Sequence, residues 1–96
     1  MTIKNPTEIR ETTDEITRTV KVAQSFDEIN AAKKQLADIR AYVVERRDEY
    51  ETECGDDGLQ SVQKEIYDTG VFIGLKEIEI KRRNQTEQLR ALGYKI

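Results

Sequence analysis

Apolar residues recur along this chain at helical spacings in three stretches, separated by short polar breaks. In the first, Ile9, Thr13, Ile16, Val20 and Ala23 alternate steps of four and three, which places them on one narrow helix face. Pro6 is tolerated in a first turn, and Glu8 and Glu11 suit the positive end of the helix dipole, so the spacing predicts a helix over about 7–24. The preceding residues 1–6 have no periodicity and read as a loosely held, extended lead-in.

Ser25-Phe26-Asp27-Glu28 is a capping box, in which each side chain satisfies the other residue's orphan amide, so a second helix is expected over 26–54. Ile29, Leu36, Val43 and Tyr50 follow at sevens, with Ala32 and Ile39 between them, the pattern of a coiled-coil seam. It weakens at Arg46, where a charge takes an apolar slot. Cys54-Gly55-Asp56-Asp57-Gly58 is the strongest turn signal, and Asp57, with Gln60 three residues on, reads as the cap of a third helix over 57–92.

That third stretch carries two stripes. Leu59, Val62, Ile66, Thr69 and Ile73 form the first; Phe72, Leu75, Ile78, Leu89 and Leu92 describe its later part. The apolar face thus rotates near Gly70 and Gly74, which predicts a kink or register change there, and their G-x-x-x-G spacing also permits close approach of another helix. Gly70, Phe72, Gly74 and Ile78 are therefore the candidate packing or oligomer contacts. A short turn between two long periodic segments makes them antiparallel neighbours. The expected fold is all-α, a single helical domain over 1–96 with a short N-terminal helix plus a long antiparallel helical hairpin.

Composition narrows what such a fold does. Hydrophobic and charged residues each make up 36% of the chain, so the core is thin and a second subunit is a natural way to complete it, which predicts a homo-oligomer. With no histidine there is no imidazole base and no Ser-His or Cys-His pair. The single cysteine, Cys54, stands among Glu51, Glu53, Asp56 and Asp57, which disfavour a thiolate. No spaced metal-ligand set and no glycine-rich phosphate loop is present. A noncatalytic protein with no cofactor and no metal is expected. Lacking a long apolar run for a signal or a membrane span, it is expected in the cytoplasm without membrane contact.

Charge is unevenly placed on a chain of net −3. From Glu45 to Asp57 there are seven acidic residues against two arginines, and Glu49, Glu53, Asp56 and Asp57 are the candidate partner-binding group. Such a tip mimics nucleic-acid phosphates and suits a basic groove on a protein partner; its plain alternative is a hydrated hairpin end. From Lys76 to Ile96 there are six basic residues against three acidic. There Arg82, Arg83, Asn84 and Thr86 form a donor cluster able to hold phosphates, or else a solvated face that complements the helix dipole. Duplex DNA is disfavoured by the negative net charge. Tyr94-Lys95-Ile96 is expected to dock.

Through Gly70-Val71-Phe72 to Ile78, and at Arg83-Asn84, the chain resembles the helical hairpin of phage-encoded cyclic-nucleotide sponges that counter CBASS and Thoeris immunity. The resemblance implies a short leading helix, two long antiparallel helices, assembly of small subunits, and sequestration of a signalling nucleotide between subunits in the host cytoplasm. The family's alanine- and tryptophan-rich stretch is absent, and no pocket residue carries across. Two function classes follow: a self-associating helical protein that binds and inhibits a macromolecular partner, and an oligomeric nucleotide sponge.

Overall fold

The computed structural model describes residues 3–93. It folds them into three helices, α1 (Pro6–Lys21), α2 (Phe26–Glu45) and α3 (Arg47–Ala91), with no strand among the described residues. The all-α expectation holds. Each start has a local cause. The Asn5 side chain accepts from the Glu8 amide at 2.8 Å and Pro6 enters the first turn of α1. Half of the expected capping box forms at α2: the Glu28 amide donates to Ser25 Oγ at 3.3 Å, while the Glu28 carboxylate accepts from the Gln24 amide, also at 3.3 Å, one residue before the amide of Ser25 that the box would satisfy.

Long-range contacts set the directions. Arg10 meets Glu65, Lys76 donates to the Lys21 carbonyl, and Arg83 reaches Gln24, so α1 runs parallel to α3. Lys33 pairs with Glu77 while Gly70 lies beside Leu36 and Arg40, so α2 runs antiparallel to the long arm of α3. The reversal is made at Gly55, whose φ of 73° and ψ of 175° are open to glycine almost alone. Gly58 finishes it, because a Cβ there would come within 2.5 Å of Cys54 Cβ. The molecule is a rod 60 Å long and 19 Å across. At about 1.5 Å per residue the arm after Gly55 spans nearly all of that length.

The core follows both seams: Ile9, Thr13, Ile16 and Val20 from α1, Ile29, Leu36 and Val43 from α2, and Tyr50, Val62, Ile66, Ile73 and Ile80 from α3 are all buried. Several expectations need correction. The second helix breaks at Arg46, which leaves helical geometry and stacks its guanidinium 4.0 Å above the Tyr42 ring, yet the seam continues to Tyr50 across the break. Gly55 is the non-helical residue at the reversal, so it takes the N-cap position of the arm that follows, and Asp57 falls in that arm's first turn instead of capping it. The non-helical residue within α3 is Gly55; Gly70 and Gly74 keep helical dihedrals, and the kink near Gly70 and Gly74 does not appear as a break there.

The lead-in is also different from expectation. Ile3 is buried, the Lys4 amide donates to Tyr42 Oη at 2.8 Å, and Tyr50 Oη donates to the Lys4 carbonyl at 2.6 Å. The docking expected of Tyr94-Lys95-Ile96 lies outside the described residues.

Candidate interaction surfaces

The apolar face of α3 does not rotate. Leu59, Val62, Ile66, Thr69, Ile73 and Ile80 keep one buried line, while Val71, Leu75, Ile78, Leu89 and Leu92 are between 42% and 76% exposed. At about 100° per residue the two lines lie on opposite sides of the helix. One faces α1 and α2; the other faces solvent. Val71, Leu75, Ile78, Arg82, Gln85, Leu89 and Leu92 alternate steps of four and three, which makes the outer line a heptad seam with a polar centre.

The C-terminal part of α3 outruns the bundle. Arg83 clasps the connection between α1 and α2, its guanidinium donating to Gln24 Oε1 at 2.7 Å and to the Gln24 carbonyl at 2.6 Å. Beyond it, from Gln85 to Gly93, every residue except Thr86 is exposed. Val22 and Phe26, at the same end of the rod, are exposed as well. This end carries a density of exposed apolar side chains that a thin rod gains nothing by showing to water.

The opposite end is acidic. Glu49, Glu53, Asp56 and Asp57 are all exposed around the Gly55 reversal, and none takes part in an ion pair among the described residues. Cys54 is half-buried there against the core. Among the described residues no three Cys, Asp or Glu side chains gather as metal ligands would. No described helix is long and apolar enough to cross a membrane.

The expected packing group disperses. Gly70 sits against α2, Phe72 is half-buried toward α1, Gly74 borders a shallow groove between α2 and α3, and Ile78 points outward. A Cβ on Gly70 would meet Leu36 Cδ2 at an ordinary 3.5 Å and one on Gly74 would meet nothing, so neither glycine is required by close approach. The donor cluster disperses too. Successive residues Arg82, Arg83 and Asn84 point about 100° apart, with Thr86 sharing the side of Arg82. Arg83 is already committed to Gln24.

Sequence reasoning overlooked a groove of about 350 Å³ between α2 and α3, where Arg40 and Arg47 flank Val44, Gln63 and the exposed ring of Tyr67. Its members come from two helices and share no local pattern. Only the antiparallel pairing of α2 and α3 unites them. Comparison with family models, curated proteins and solved structures gives no match for this chain.

Proposed function

We propose that this chain is a noncatalytic helical interaction protein that self-associates through its apolar end and presents its acidic hairpin tip to a basic macromolecular partner. The carrying observation is the segregation of surface along the rod. Val71, Leu75, Ile78, Leu89 and Leu92 form an exposed apolar line that runs along the outer side of α3 into its overhang, and unpaired carboxylates gather around Gly55 at the other end. A surface evolved only for solubility mixes charges of both signs and shows no continuous apolar seam. Carboxylates at a tip steer a basic target by long-range attraction, so binding there weakens steeply with salt.

The test is charge reversal of Glu49, Glu53, Asp56 and Asp57 to lysine, followed by affinity capture from the native host with mass spectrometry. Helicity by circular dichroism should stay unchanged while capture of a specific partner falls at least tenfold. Unchanged capture would sink the tip as the working surface.

A second reading has one observation in its favour. The groove of Arg40, Arg47, Gln63 and Tyr67 combines two guanidinium groups with an exposed aromatic ring, chemistry that fits the phosphate and base of a nucleotide. A nucleotide panel should then raise the melting temperature, with the rise lost in Arg40→Ala. No shift at millimolar ligand would remove this reading.

A further inference from the structure

The occupant of the exposed α3 seam is encoded in its own order of residues. Read from residue 75, the seam positions are Leu75, Ile78, Arg82, Gln85, Leu89 and Leu92. Laid against its own reverse, the series matches layer by layer. Leu75 meets Leu92, Ile78 meets Leu89, and Arg82 meets Gln85, after which the same three layers repeat in the opposite order. Apolar faces apolar and polar faces polar in every layer. A seam that is complementary to its own reversal is what a two-fold interface between identical helices requires.

We propose that two copies of this chain pair antiparallel along α3, with Leu75 packed on the partner's Leu92, Ile78 on the partner's Leu89 and Arg82 beside the partner's Gln85.

Three further observations select this arrangement. A parallel in-register pair would bring Arg82 onto the partner's Arg82 in the centre of the seam, burying like charges without compensation. In the antiparallel register Glu79 flanks the partner's Thr86 and Lys81 the partner's Gln88, so no like charges oppose one another. The helical overhang after Arg83, which has no helix of its own chain alongside, lands on Leu75 and Ile78 of the second copy and gains the packing that two free turns lack.

The space around α3 agrees. Contacts to α1 run along the side of Glu65 and Lys76, and contacts to α2 along the side of Gly70 and Glu77. With about 100° between successive residues, α1, α2 and the outer seam are spaced roughly 120° apart around the helix. A partner helix therefore enters the open third sector. The two-fold axis passes near residues 83 and 84, where α1 and α2 end, so the two bundles extend away from each other. The acidic tips then stand at opposite extremes of one long rod, roughly 80 to 90 Å apart at 1.5 Å per residue. The dimer is bivalent, and a target with two basic sites at that spacing is held by avidity.

This pairing rests on the self-association in the proposed function and is testable apart from it. In a Cys54→Ser background, Arg82→Cys and Gln85→Cys proteins are oxidised singly and as a mixture, and disulfide dimers are counted on a nonreducing gel. In the proposed register residues 82 and 85 of different copies lie within disulfide reach, whereas 82 with 82 and 85 with 85 are offset by about a helical turn. The mixture should yield at least fivefold more dimer than either protein alone. Dimers from Arg82→Cys alone in equal or greater yield would overturn the antiparallel register. The parent Cys54→Ser protein, examined by light scattering, should have twice the chain mass; a monomer would overturn the pairing altogether. A monomer that still captures its target through the acidic tip would leave the interaction reading standing without the dimer. A dimer whose tip is inert would support the pairing and remove that reading.

Discussion

The Tyr50 hydroxyl donates to the Lys4 carbonyl oxygen at 2.6 Å, joining the lead-in to a residue 46 positions along the chain. Tyr50 is fully buried, and Tyr42 accepts from the amide of the same Lys4 at 2.8 Å. Both backbone polar groups of Lys4 are thereby held by the arm of the hairpin that precedes Gly55. That fastening sets where α1 begins against α2.

Replacing Tyr50 with phenylalanine keeps the ring and deletes the donor, so the expected cost is about 1 kcal/mol in chemical denaturation. Amide exchange at residues 4–9 should accelerate more than at Ile66 or Ile73. Uniform acceleration would mean that the lead-in is not a separate local unit.

The same phenol links stability to alkaline pH. Burial, with smaller contributions from Tyr42 and Cys54, pushes the Tyr50 hydroxyl up to about 12 from its ordinary 10. Because the native state holds the proton more tightly, the contribution is complete below pH 10 and is lost as pH rises through about 12. It amounts to at most about 2 to 3 kcal/mol. Unfolding free energy measured from pH 8 to 12 should fall more steeply in the wild type than in Tyr50→Phe. Parallel curves would exclude this linkage.

The glycines divide into two classes. Gly55→Ala forces a side chain into left-handed geometry and should cost about 1 to 3 kcal/mol, and Gly58→Ala should be similarly damaging because its Cβ meets Cys54 Cβ. Gly74→Ala, with open space and helical backbone, should stabilise by about 0.5 to 1 kcal/mol. Thermal melts of the three variants check the ranking. A Gly74→Ala protein less stable than Gly55→Ala would reverse it.

Arg83 ties the overhanging part of α3 to the α1–α2 connection. Arg83→Met removes both donors to Gln24 while keeping most of the aliphatic stem, and should cost about 1 kcal/mol because the pair is solvent-exposed. If Arg83 instead served a phosphate ligand, stability would be unmoved and nucleotide binding would fall.

Much of this fold is legible in the chain, and the exceptions have physical causes. Ser25 and Glu28 announce α2 because a capping box is local, and Ile29, Leu36, Val43 and Tyr50 announce its seam because burial recurs at sevens. The break at Arg46 is hidden by that same regularity, since the seam keeps its phase while the backbone leaves helical geometry for one residue. On α3 two apolar lines interleave. Read as one, they imply a face that rotates near Gly70; only the positions of α1 and α2 separate inward Ile73 and Ile80 from outward Leu75 and Ile78. The pinning of Lys4 by Tyr42 and Tyr50 depends on tertiary approach and leaves no mark in sequence spacing. The acidic tip was legible as charge, whereas the groove of Arg40, Arg47 and Tyr67 was not, because its members meet only across the hairpin.

In the proposed dimer the outer face of α3 is covered by a second copy. Sedimentation equilibrium of the wild type and of a Leu75→Glu, Leu89→Glu variant measures this most directly. The wild type should sediment at twice 11.1 kDa at tens of micromolar, and the variant at 11.1 kDa with its helicity retained. A wild type that stays at 11.1 kDa throughout, or a variant whose mass does not change, would contradict it.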